Sequence, residues 1–189
     1  MASTTAFLDA SVLYPAPLRD LLMHIALTDL YRARWSSDVH REWIEALLRK
    51  DPTRVRAKLE RTRDLMNTAT RDALVSGYEG LISAIELPDS DDRHVLAAAV
   101  VGRCDVIVTR NLRHFPPSAL APYGIEALDP DRFLHAHLTL APGLFCVAVA
   151  ALRGALRQPP VTVSEYLETL EAQGLVATAT ELARYPGAI

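Results

Sequence analysis

Apolar positions alternate between two spacings along this chain, and the alternation predicts its elements. TTAFL at residues 4–8 is a β-branched and aromatic run closed off by Pro15 and Pro17, after which LRDLLMHIALTDL resumes at helical spacing. YRARW, from residue 31, predicts a second short strand, and SSDVHREWIEALLRK a helix opened by Ser37 or Asp38. Residues 53–76 predict one or two further helices with Val55, Leu59, Leu65 and Met66 turned inward. A loop rich in Gly and Asp then leads into LPDSDDRHVLAAA at residues 87–99, an alanine-rich helix behind a cluster of acids. DVIVT, from residue 105, is the clearest strand, and IEAL, from residue 125, predicts a last one before a helix starting near Pro130. Strands and helices in alternation imply an α/β fold, a mainly parallel sheet flanked by helices. TVSEYLETLEAQGL then predicts a well-marked helix, with Thr162 and Glu165 as a capping box, Val163, Tyr166, Leu167 and Leu170 on one face, and Gly174 as its stop. LVATATELARYP predicts a second, shorter helix ending before Pro186, so residues 135–189 read as a helical extension of a domain at 1–134.

At 189 residues, 50% hydrophobic and 23% charged, the chain can bury a core of its own, and disordered or fibrous classes are excluded. Two cysteines, Cys104 and Cys146, at no metal-binding spacing, argue against a disulfide framework or zinc ribbon and fit a reducing cytoplasm. The N-terminal MASTTAFLDASVL has no basic segment and is not expected to act as a signal peptide. The longest apolar stretch, residues 138–152, is interrupted by Pro142 and Gly143, so no membrane span is expected. The net charge of −3 argues against nucleic-acid binding by bulk charge. Half of the 20 basic residues nevertheless fall between Arg32 and Arg63, either as a solvated face with Glu–Arg pairs or as a track for phosphates.

The acids carry the chemistry. In parallel sheets ligands sit beyond the carboxyl ends of the strands. Asp9 follows TTAFL directly and lies at such an end, whereas Asp105 opens its strand and lies at the opposite edge. Thr109, Arg110 and Asn111 close DVIVT and can face the same crevice as Asp9. Glu42 and Glu45 stand near the start of one helix and Asp92 near the start of another. Converging carboxylates repel, by about 4 kcal/mol for a pair about 4 Å apart at an effective dielectric near 20, so a bound cation is the simplest resolution.

FLDASVL, SSDVHREWIEAL, DDRHVLAAAV and DVIVTRNLRHFP, in this order, resemble the four acidic motifs of PIN-domain nucleases, in particular VapC-type toxins of bacterial toxin–antitoxin pairs. The resemblance covers roughly residues 4–134. It implies a PIN-like fold and a Mg²⁺- or Mn²⁺-dependent endoribonuclease acting on RNA and inhibited by a cognate antitoxin. On the matching motifs, Asp9 and Asp92 are the implied metal ligands and Glu42 the residue that positions or deprotonates water, with Glu45 as its alternative. Thr109, Asn111 and Arg110 would contact metal-bound water, phosphate or RNA backbone. The fourth motif departs from the family pattern: members commonly place Asp or Asn after TR, where Asn111 stands, and another Asp before Phe, where this chain has His114. That departure keeps two other readings open, a PIN-like module that binds RNA or a partner without cleaving and a PIN nuclease acting without an antitoxin. Asp89 and Asp91 are expected to serve as turn and cap residues, His135 and His137 as structural histidines, and Trp35, Trp43 and Tyr78 as core or rim residues. The C-terminal helices must pack on something, either the domain before them, a second copy of the chain or the antitoxin.

Overall fold

The structure is a computed structural model that describes residues 3–156 and 159–189. Five strands, β1 (Thr4–Leu8), β2 (Tyr31–Ser36), β3 (Leu74–Val75), β4 (Val106–Val108) and β5 (Glu126–Leu128), form one sheet in the order β3-β2-β1-β4-β5. The pairs β1–β4, β2–β3 and β4–β5 are parallel, with Ala6 opposite Val106 and Leu8 opposite Val108. β1 and β4 carry Ala6, Phe7, Leu8, Ile107 and Val108, all buried, as expected of central strands covered on both faces. The chain runs outward from β1 to β2 and β3 on one side and to β4 and β5 on the other, so the strand order reverses between β1 and β4.

Contacts group the chain into two compact units, residues 1–14 with 32–129, and residues 15–31 with 130–189. The first holds the sheet, apart from the opening residue of β2, with α1 (Ala10–Leu13), α3 (Ser37–Lys50), α4 (Arg56–Ala69), α5 (Arg93–Val101) and α6 (Pro117–Leu120). The second is helical: α2 (Ala16–Ala26), α7 (Pro130–Leu140), α8 (Pro142–Ala155), α9 (Val163–Ala172) and α10 (Val176–Leu182). The expected boundary at 134/135 falls inside α7, which belongs whole to the second unit, as does the early helix α2.

Within the helical unit, α9 starts with the expected capping box, Thr162 accepting from the Glu165 N–H while Glu165 accepts from the Thr162 N–H. Tyr166 and Leu170 are buried, and Gly174 takes φ +76°, a left-handed turn that ends the helix without Cβ strain. Asp131 of α7 accepts the N–H groups of Ala177 and Thr178 and so caps α10 from another helix. His137 stacks against Phe133 and Tyr31 and pairs with the Phe133 carbonyl, the structural role expected of it. The apolar stretch 138–152 is bent by 119° between α7 and α8, and among the described residues no single helix is long and apolar enough to cross a membrane.

Three local expectations need correction. The cap of α3 is Ser36, whose hydroxyl accepts the Val39 N–H, not Ser37 or Asp38. α4 turns only Met66 fully inward; Val55 and Leu65 are 54% and 59% exposed because the stripe that packs is Leu59, Thr62, Arg63, Met66 and Asn67. Residues 53–76 also do not end as helix. α4 stops at Ala69 and Asp72 takes φ 56°, after which Leu74 and Val75 form β3 against Trp35 and Ser36. Two residues are too few for any periodic signal. Trp35, Trp43 and Tyr78 are all core residues.

Candidate active site

The strand order reverses between β1 and β4, and open parallel sheets bind ligands beyond the carboxyl ends of the strands at such a reversal. Asp9 leaves β1 there and is 3% exposed. Its carboxylate takes three donors: the Ala10 N–H at 2.7 Å on one oxygen, and the hydroxyls of Ser11 at 2.6 Å and Thr109 at 2.8 Å on the other. The same hydroxyls receive the chain that leaves β4. Ser11 accepts the Arg110 N–H at 3.0 Å and Thr109 the Asn111 N–H at 3.0 Å. The two strand ends are therefore laced together through one buried acid. Asp9 is also the N-cap of α1.

Asp92 stands at the N-cap of α5, and no backbone N–H there is bonded to its side chain. The carboxylate instead meets His114 Nδ1 at 2.6 Å. Arg113 Nε donates to His114 Nε2 at 3.1 Å, an arrangement that leaves the ring proton on Nδ1 for Asp92. Asp89 lies 3.6 Å from the same Nδ1 while also accepting the Asp91 N–H as a turn residue. Ligand atoms of Asp89, Asp92 and His114 lie within 4.8 Å of one another. Burial raises the Asp92 carboxyl above the ordinary carboxylate range, and the Asp9 and Asp89 charges add to this against the pull of His114. That is the condition of a site short of positive charge. Two carboxylates and an imidazole form a donor set suited to a divalent ion that accepts oxygen and nitrogen ligands.

Glu42, on α3, is bonded to His94 of α5, with Nε2 2.7 Å from Oε1. Burial, the largest influence on His94, lowers its pKa, but it is outweighed by the hydrogen bond and charge of Glu42 and by the charges of Asp38 and Asp9, so the net direction is upward. Asp38 receives the Tyr78 hydroxyl at 2.7 Å and pairs with Arg41. Glu45 turns the other way and pairs with Arg56 at 2.7 Å. In the basic stretch between Arg32 and Arg63, Arg41, Arg54, Arg56 and Arg63 each meet an acid. An open cleft of about 470 Å³ between these helices is lined by both signs, with Arg41, Arg56 and Arg63 beside Glu45 and Glu60.

Of the residues singled out from the sequence, Asp9, Thr109, Arg110 and Asn111 share one hydrogen-bonded network. Asp92 feels the charge of Asp9 and joins His114. Glu42 reaches His94. The contacts of Ser11 with Asp9, of His94 with Glu42 and of Asp89 with His114 go beyond the residues that the sequence singles out. Ser11 carried a usable signal, an alcohol two residues after a strand-end Asp, and His94 a weaker one, a histidine two residues past Asp92.

These features define a PIN domain, and the chain belongs to that family: the PIN domain model matches residues 4–113. The VapC50 C-terminal domain model matches residues 130–184, the helices after the sheet. Over 101 residues the chain is 45% identical to a protein of Mycobacterium tuberculosis (strain ATCC 25618 / H37Rv) named "Putative ribonuclease VapC50", a match covering 53% of this chain and 59% of that protein, under two thirds of its length. No solved structure matches the chain.

Proposed function

We propose that the chain is a metal-dependent endoribonuclease, the toxin of a bacterial type II toxin–antitoxin system. The observation that carries this reading is the buried Asp9, held by two hydroxyls at the strand-order reversal, with an Asp92 whose proton affinity is raised by burial first and then by the charges of Asp9 and Asp89. PIN-family membership and the ribonuclease name of the relative support the same chemistry. Asp9 and Asp92 are the proposed metal ligands, with His114 and Asp89 beside Asp92 as further donors. Mg²⁺ or Mn²⁺ bound there would supply a water of lowered pKa and neutralise charge on the scissile phosphate. The residues themselves do the rest. Ser11 and Thr109 fix the Asp9 carboxylate in one orientation, Glu42 takes a proton from the attacking water or aligns it, and Asn111 and Arg110 contact phosphate. The proposed partners are RNA, a cognate antitoxin protein and a second copy of the chain, and the proposed compartment is the cytoplasm.

The test is cleavage of RNA with Mg²⁺, with Mn²⁺ and with EDTA, using wild type, Asp9→Asn and Asp92→Asn. Cleavage by wild type alone, abolished by EDTA, is expected. Cleavage that persists in EDTA or in both variants overturns the reading, and RNA binding that needs no metal and leads to no cleavage would establish a binding module instead.

A further inference from the structure

Among the described residues, His94 is the one histidine that reaches a proposed catalytic group without belonging to the proposed ligand set. It is the second residue of α5, two positions past the N-cap Asp92, and its side chain is 12% exposed. Nε2 meets Glu42 Oε1 at 2.7 Å, while Nδ1 is buried without a hydrogen-bond partner. The ring therefore has a single directed polar contact, and that contact is Glu42. Glu42 by contrast has a side chain 40% exposed on a helix surface, where its three rotatable bonds otherwise allow several rotamers. A group that must meet an attacking water gains from being held in one of them.

We propose that His94 is a positioning residue that fixes the Glu42 carboxylate relative to Asp92, tying the α3 acid to the α5 acid through one imidazole. The proposal rests on the nuclease reading above and extends it. A buried histidine serving only to fill space would be replaced best by an apolar residue of similar size; one serving as a directed donor is replaced best by an amide. Steady-state kinetics on RNA separate these, with wild type, His94→Leu, His94→Gln, Glu42→Gln and the His94→Leu/Glu42→Gln double variant, each also tested for thermal midpoint and Mn²⁺ affinity.

The expected result is a kcat lower by about 10- to 100-fold in His94→Leu, the loss of one oriented acid–base contact, with KM and Mn²⁺ affinity nearly unchanged. His94→Gln should recover most of it, and the double variant should be no slower than Glu42→Gln alone, because the histidine acts through that glutamate. A His94→Leu enzyme as fast as wild type, a His94→Leu faster than His94→Gln, or a double variant slower than Glu42→Gln by the full single-variant factor overturns the positioning role while leaving the nuclease reading intact. A wild type that cleaves no RNA with either metal overturns both.

Discussion

Replacing Thr109 by Val removes one hydroxyl from the centre of the site and little else. Thr109 is 0% exposed, so the change is made in a closed environment, and the two β-branched side chains differ by a methyl in place of the hydroxyl. The hydroxyl donates to the Asp9 carboxylate at 2.8 Å, and a hydrogen bond to a charged group contributes about 1.5–3 kcal/mol. The methyl that replaces it returns about 0.8 kcal/mol of apolar burial. The Asn111 N–H, which loses its acceptor, belongs to an exposed residue and can turn to water, so it adds little. The net loss should be about 1–2 kcal/mol, or about 2–4 °C in thermal midpoint per kcal/mol for a chain of this size. Thr109→Ser keeps the donor and should lose less. Denaturant titrations of the three proteins, without metal, measure the difference, and RNA cleavage should fall with it because Asp9 keeps only Ser11 and the Ala10 N–H to orient it. A Thr109→Val protein within about half a kcal/mol of wild type and fully active would refute the account, since a surface-like tolerance of that kind belongs to sites away from any such network.

Other outcomes follow from the same geometry. Mn²⁺ at about one hundred times its Kd should stabilise wild type by about 2.7 kcal/mol and leave Asp92→Asn unmoved, as read in thermal melts; an equal shift in both would remove Asp92 from the ligand set. Glu45→Gln should leave cleavage unchanged and Glu42→Gln should not, because Glu45 is committed to Arg56 on the exposed side of α3 while Glu42 faces His94. The reverse pattern in an activity assay would exchange the two residues. His40 is 2% exposed and its pKa is pushed down to about 4, chiefly by burial, from 6.5 when unfolded. A depressed histidine pKa means that the unfolded chain binds the proton first, so its contribution is whole above pH 6.5 and is lost as pH falls from 6.5 toward 4, by about 3 kcal/mol in all. Denaturation midpoints across that range should show this slope in wild type and a flatter one in His40→Asn; equal slopes would place the acid sensitivity elsewhere.

Periodicity alone was enough for β1, β2, β4, β5 and the helices α2, α3, α5 and α9, because each has a long enough run of apolar positions at one spacing and a chemical signal at an end. It was also enough to sort Asp9 from Asp105, since the rule depends only on which side of a strand an acid stands, and Asp105 indeed accepts the Thr5 N–H at the opposite edge. β3 was illegible because two residues carry no period, and α4 was misread because an exposed Leu65 and a buried Met66 look alike on one sequence line. What the tertiary structure decided is which partners meet across long separations. Asp92 and His114 are 22 positions apart and Asp9 and Thr109 100 apart, so no local pattern records their bonds. The choice between Glu42 and Glu45 belongs to the same class: both lie in the middle of α3, three positions apart, and only the placement of α5 and α4 against that helix gives one to His94 and the other to Arg56. The same holds for α2, whose apolar face reads alike beside a sheet or a helix and which by its contacts joins α8 and α9 more than a hundred residues later in the chain. Hydrophobic spacing states that a face must be covered; what covers it depends on the path of the whole chain.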